Sequence, residues 1–242
     1  MKGTLWCLHG AVGMAADWRR FSVPAWGVKR VDLWRFLDCR SMTMPEFGRA
    51  LNREAESGST GKRVLLGYSM GGRLALHALL EAGPWDAAIL IAPHPGLEAG
   101  DERVARRASD AEWAKLALSG EWGDFLKRWQ GQGILQRAPT SEGEMADRTG
   151  LVSRRREVAR SFVEWSLGAQ EPLWERLGEI SCPVLWCTGE EDAKFRALGE
   201  RAAGLIRDAV LWVAPGAGHR VPWDAAEAFR AKVGEFLERV AG

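Results

Sequence analysis

The pentapeptide Gly67-Tyr68-Ser69-Met70-Gly71 fits G-x-S-x-G and lies between an apolar run, Val64-Leu65-Leu66, and a helical pattern. That is the setting of a nucleophile elbow, in which a sharp strand-to-helix turn holds a serine exposed and the flanking positions must lack side chains. A serine hydroxyl is a weak nucleophile or base at neutral pH. It needs an imidazole to take its proton and a carboxylate to orient that imidazole. In elbow enzymes the acid follows the serine and the histidine comes last. Of the four histidines, His9 precedes the serine, His77 lies on the elbow helix and His94 follows a middle strand. Only His219 sits in a glycine-rich loop after the final strand pattern, in Pro215-Gly216-Ala217-Gly218-His219. The turn Thr188-Gly189-Glu190-Glu191-Asp192 offers three carboxylates where one is wanted.

Two further features suit this chemistry. The loop Leu8-His9-Gly10-Ala11-Val12-Gly13 fits H-G-x-x-G, so the backbone N–H groups of Ala11 and Met70 should form an oxyanion hole, with His9 bracing the loop. Arg73 lies one helical turn after Ser69, which puts both on one face near a helix amino terminus. A guanidinium there would grip a carboxylate.

Positioning these residues requires alternating strands and helices. Apolar runs recur at Thr4–Leu8, Val28–Leu33, Val64–Leu66, Ala87–Ile91, Val184–Cys187 and Val210–Val213, with helical patterns between most of them. The alternation predicts an α/β fold, a mainly parallel sheet with helices on both faces. Thr43-Met44-Pro45-Glu46 reads as a capping box opening a helix to about Ser57. From Pro95 to Pro172 the strand runs give way to helical stretches at Arg103–Leu118, Trp122–Trp129 and Arg154–Leu167. The expected organisation is therefore one core in two parts, 1–94 and 174–242, interrupted by a helical lid at 95–173 over the strand ends.

Composition narrows the function classes. Lysine plus arginine (33) nearly cancels aspartate plus glutamate (32), so no global field draws the chain to nucleic acid or an anionic membrane. No apolar run is long enough to span a bilayer and the first residues do not read as a signal peptide, which points to a cytoplasmic protein. The scattered histidines and the absence of an H-x-x-x-H helix argue against a metal, and no cofactor is expected. Cys7, Cys39, Cys182 and Cys187 lack paired spacing and read as buried free thiols. Nothing in the sequence fixes an oligomeric state.

With these residues in place the chain resembles the α/β-hydrolase superfamily over nearly its full length. It is similar in particular to the 2-succinyl-6-hydroxy-2,4-cyclohexadiene-1-carboxylate synthase family of menaquinone biosynthesis. The similarity runs through Leu8-His9-Gly10 with Asp17-Trp18, the elbow with Gly72-Arg73, and His94-Pro95-Gly96-Leu97 with Glu102-Arg103 and Arg106. It continues in Gly168-Ala169-Gln170 with Leu173-Trp174, Gly189-Glu190-Glu191-Asp192 with Lys194-Phe195, and Ala217-Gly218-His219. The resemblance implies Asp192 as the acid, with Glu190 and Glu191 as substitutes. It implies an elimination in which Ser69, made basic by His219, removes a ring proton and pyruvate departs from a small polycarboxylate. By motif, Arg106 would hold a second carboxylate, Trp129 would line the pocket, Tyr68 would flank the serine, and one of Arg154-Arg155-Arg156, foremost Arg154, would complete the clamp. The chain departs from the family pattern after Trp129, where Gln130-Gly131-Gln132-Gly133 lacks the expected proline and aromatic residue, and near Arg154, which lacks a neighbouring asparagine.

The same residues could instead serve a carboxylesterase or thioesterase acting through an acyl-serine. Arg73 is the discriminating feature, because an unpaired cation in a pocket disfavours neutral acyl chains. A non-catalytic binding module on the same fold is the third reading.

Overall fold

The computed structural model describes residues 1–58, 61–135 and 147–241. Six strands, β1 (Gly3–Leu8), β2 (Trp26–Val31), β3 (Lys62–Tyr68), β4 (Ala87–Ile91), β5 (Val184–Gly189) and β6 (Ala209–Ala214), form one sheet in the order β2-β1-β3-β4-β5-β6. Every neighbouring pair is parallel. A parallel sheet is covered on both faces, which is why its central strands read as unbroken apolar runs. Along those strands, side chains divide alternately between two cores. Trp6, Leu8, Leu65, Leu90 and Trp186 pack on one face. Leu5, Cys7, Leu66, Ile91 and Cys187 pack on the other.

The first core takes the apolar faces of α1 (Met44–Gly58) and α2 (Met70–Leu80), and the second takes those of α8 (Ala226–Ala241). The capping box forms as expected: Thr43 donates its backbone N–H to the Glu46 carboxylate at 2.7 Å, and its hydroxyl accepts from Glu46 N–H at 3.4 Å. Strand β2 begins and ends two residues earlier than the apolar run Val28–Leu33 suggests. The cause is local, because Asp32 accepts the Trp34 N–H and opens a short 3₁₀ turn, while Leu33 gives its N–H to His9 Nε2. Cys39 is exposed, which corrects the expectation that all four thiols are buried; it follows that same turn on the surface, whereas the other three lie in or beside strands.

Between β4 and β5 the chain forms α3 (Gly100–Ser119), α4 (Trp122–Gln130), a 3₁₀ stretch (Thr149–Arg154) and α5 (Arg155–Glu164). Phe125, Phe162 and Trp165 of this stretch join the same core as α1 and α2, so these helices are seated on the sheet domain by apolar contact. After β5 come α6 (Ala193–Ala203) and, after β6, the short α7 (Val221–Asp224). None of the helices among the described residues is long and apolar enough to cross a membrane.

Chain order makes β1 and β3 the topological switch point. From β1 the chain moves outward to β2, then returns to place β3 on β1's other side. Crevices form at the carboxyl ends of strands there, because the following loops leave in opposite directions. The His9–Gly13 loop follows β1 and Ser69 follows β3, so both arrive at this crevice.

Candidate active site

Ser69 is held at φ +53° and ψ −111°, a region that side-chain-bearing residues rarely occupy. Its surroundings over-determine that conformation. Ser69 N–H donates to Ile91 O at 2.8 Å, and a Cβ at Gly71 would stand 2.5 Å from His9 O and 2.7 Å from Leu8 O. A Cβ at Gly67 would run into the carbonyl of Gly71. The elbow therefore needs both glycines, since strand, turn and helix backbones touch one another and the β1 loop.

His219 Nε2 lies 3.1 Å from Ser69 Oγ, and its Nδ1 lies 2.7 Å from Asp192 Oδ2. The three residues are 150 and 27 positions apart in pairs. Two loops are pressed together to achieve this. Glu191 N–H donates to Ala217 O, Glu190 N–H donates to Ala214 O, and Gly189 has no room for a side chain beside the carbonyls of Ala217 and Gly218. Asp192 also caps α6, accepting from Phe195 N–H through Oδ1. Its two oxygens thus have separate tasks. Glu191 and Glu190 are exposed, and Glu190 accepts from Gly216 N–H instead of from the imidazole. The Phe195 ring packs 4.4 Å from the His219 ring, covering one side of it, and Tyr68 packs at 5.6 Å.

Ser69 opens onto a cleft of about 170 Å³. Ala11, Met70, Tyr68, Arg73, Arg106 and Trp129 all line it. Met70 begins α2, where the first amides lack a helical acceptor. His9 is fully buried and braces its loop: Nε2 accepts from Leu33 N–H at 3.3 Å, Nδ1 faces Gly10 O at 2.9 Å, and the ring lies against Trp34. Burial keeps this imidazole neutral by lowering its pKa.

Arg73 is buried, yet among the described residues no carboxylate pairs with it. Its guanidinium donates to the neutral acceptors Trp165 O at 2.8 Å and Gln170 Oε1 at 3.2 Å. Burial and the nearby Arg106 both lower its pKa, and Asp110 only partly offsets them. Such a cation gains from an incoming anion. Arg106 is half-committed already, donating from Nε to Asp110 at 2.9 Å. Trp129 lies among Trp113 and Phe162, so it serves the helical core and the pocket wall together.

Arg154 stands elsewhere, and the expectation that it completes the clamp is corrected. Its Nη1 is 3.5 Å from Asp38 and 3.8 Å from Glu157, outside the cleft. It ends the 3₁₀ stretch before α5, and that turn points it at the loop after β2. Two further cleft positions carried no assigned role in the sequence reading. His94 and Phe195 both line the cleft. Their only sequence signal is the pair of short motifs that contain them. Among the described residues no group of three or more His, Cys, Asp and Glu side chains could hold a metal ion.

Comparisons with known proteins agree with this architecture. Residues 7–232 match the model of the Alpha/beta hydrolase family. A 2-succinyl-6-hydroxy-2,4-cyclohexadiene-1-carboxylate synthase of Pectobacterium atrosepticum is 29% identical, the alignment covering 96% of this chain and 92% of that protein. The protein of the same name from Salmonella paratyphi C is 28% identical over 84% of each. Among solved structures, MenH from S. aureus superposes with a TM-score of 0.83 at 22% identity, covering 100% of this chain and 96% of that one. A thermophilic esterase from Thermogutta terrifontis superposes with a TM-score of 0.74 at 21% identity, covering 99% and 90%. At such identities the two superpositions speak for the fold alone.

Proposed function

Because the chain belongs to the alpha/beta hydrolase family, we propose that Ser69, His219 and Asp192 are its catalytic triad and that it is a lyase releasing pyruvate from a polycarboxylated cyclohexene of menaquinone biosynthesis. The observation that carries the substrate class is Arg73. A buried guanidinium with only neutral acceptors lines the same cleft as the serine. The similarity to proteins named 2-succinyl-6-hydroxy-2,4-cyclohexadiene-1-carboxylate synthase, over nearly the whole chain, favours that particular substrate.

In this reading His219 Nε2 accepts the Ser69 hydroxyl proton as Ser69 Oγ takes a proton from the substrate ring. Asp192 holds the imidazole through Nδ1–H and stabilises its cationic form. The electron pair left on carbon forms the new ring double bond and expels the enolpyruvyl oxygen. The expelled group takes up a proton and leaves as pyruvate. No water is consumed and no acyl-enzyme forms. The Ala11 and Met70 N–H groups stabilise negative charge that develops on a conjugated carbonyl oxygen. Arg73 and Arg106 receive the carboxylates, and residues 95–173 act as the lid that shields the cleft.

A carboxylesterase or thioesterase would use the same triad and oxyanion donors. Arg73 weighs against it, since a neutral acyl chain would leave that cation buried and unpaired. Pyruvate release from the pathway intermediate, measured beside hydrolysis of short nitrophenyl esters, decides between them. The lyase reading expects the first to exceed the second by orders of magnitude; the reverse preference overturns it.

A further inference from the structure

The loop after β4 adds a further polar side chain to the cleft wall. His94 is 6% exposed and lines the cleft with Ser69, Arg73 and Arg106. Its tautomer is set by its own turn. Nδ1 accepts the Gly96 N–H at 3.0 Å, so the ring proton of the neutral imidazole sits on Nε2. Gly96 is at φ +123°, and a Cβ there would stand 2.7 Å from Pro172 Cα, so the turn that delivers this N–H to the ring is locked against the chain before β5. Among the described residues nothing accepts from Nε2.

One buried amide ties this imidazole to the arginine. Gln170 Nε2 donates to His94 O at 3.1 Å, while Gln170 Oε1 accepts from Arg73 at 3.2 Å. The two residues are therefore held in register by a single side chain, itself 2% exposed. Burial lowers the pKa of His94 to about 3, and Lys194, Arg73 and Arg106 press in the same direction against a weaker opposing effect of Glu98. A fourth cation beside these three would be repelled, so the imidazole is a neutral donor.

We propose that His94 is a specificity-determining residue, its Nε2–H donating to the substrate carboxylate that Arg73 engages. This rests on the reading of the cleft as a polycarboxylate site. Arg73 supplies charge and His94 supplies direction. A ligand with an anion there satisfies both, and one without it leaves the His94 Nε2–H unmet and the Arg73 charge uncompensated.

Nitrogen NMR of histidine-labelled full-length protein tests the arrangement without turnover. The expected spectrum shows His94 as the neutral Nε2–H tautomer between about pH 8 and 5, with a signal that moves on titration with succinate. A signal titrating near the ordinary histidine range, or one unmoved by saturating succinate, overturns the proposal. Kinetics supply the second readout. His94→Phe should raise KM for the polycarboxylate about tenfold with kcat nearly kept, and His94→Gln, which restores a donor, should recover most of the loss. An unchanged KM in His94→Phe overturns the role of His94 even where pyruvate is released. Absence of pyruvate release by the parent protein, with the succinate shift intact, removes the lyase reading alone.

Discussion

Arg148 donates to the carboxylate of Asp17 at 3.0 Å, although 131 positions separate them and neither side chain is more than 8% exposed. Arg148 also donates through Nε to Val12 O at 2.8 Å, and its carbonyl accepts from Trp122 Nε1. Asp17 in turn accepts from Met14 N–H. The pair thus fastens the helical stretch between β4 and β5 to the loop that carries Ala11. Breaking a buried pair from one side leaves an uncompensated charge, so Arg148→Met should cost about 3–5 kcal/mol of stability. Adding Asp17→Asn should return part of that loss, which urea unfolding of the single and double variants measures; strictly additive losses would mean that the two side chains are not coupled.

Gly189→Ala probes how the acid and the histidine are brought together. The added methyl would overlap the carbonyls of Ala217 and Gly218, which belong to the His219 loop. Forced overpacking costs about 1–3 kcal/mol, and here it should also part Asp192 from His219. The expected outcome is a fall in kcat of at least about tenfold, as small misplacements of catalytic groups cause. Thermal unfolding and steady-state kinetics read the two effects separately.

Arg73→Ala should weaken turnover of the polycarboxylate far more than hydrolysis of a neutral ester, by roughly 10²-fold in kcat/KM for a lost charge-assisted pair. Arg73→Lys should restore little of it. The planar fork that meets Trp165 O and Gln170 Oε1 while facing the cleft cannot be copied by one ammonium. Equal losses on both substrates would count against an anion site.

Arg154→Ala provides the contrasting case. Its pairs with Asp38 and Glu157 are partly exposed, and such pairs contribute about 0–1 kcal/mol. Turnover of the polycarboxylate should stay within about twofold of the parent. A large rise in KM would return Arg154 to the clamp.

Acid should destabilise the fold through its buried histidines. Burial, helped by Arg73 and Arg176, lowers the pKa of His77 to about 3, His94 is lowered similarly, and His9 is lowered by burial. An unfolded histidine titrates near 6.5. Below that value the unfolded chain binds protons that the folded chain refuses, so stability is complete above 6.5 and falls as pH drops towards 3. Each such group contributes a slope of about 1.4 kcal/mol per pH unit well below 6.5. Urea midpoints at about pH 7.5, 6 and 5 should decline accordingly, and His77→Phe should make the decline shallower.

Much of this site was legible before any coordinates. The elbow announces itself because glycines are the only residues that survive where β3, the turn, α2 and the β1 loop touch. The positions of Ala11, Met70 and Arg73 along the cleft follow from fixed offsets along a strand, a turn and one helical turn, whereas Tyr68 came from the family motif. The strand runs were found because a doubly covered sheet leaves no polar face to confuse the pattern; β3 and β5 reach beyond their runs, and β2, at the sheet's edge, is the strand shifted along its run. Among Glu190, Glu191 and Asp192 local chemistry could not choose. The pressed loops decide, turning the third carboxylate alone towards His219.

The amino-acid order by itself determined the fold class, the elbow and the arginine one turn on, because each is written in spacing within a few residues. Tertiary structure alone decided that Arg154 faces Asp38, that Arg148 pairs with Asp17 and that Gln170 links Arg73 to His94. Those contacts join positions 76 to 131 residues apart, brought together by segments whose charges look alike in sequence. Only the packing of those segments against the sheet sets which charge is buried and what it meets.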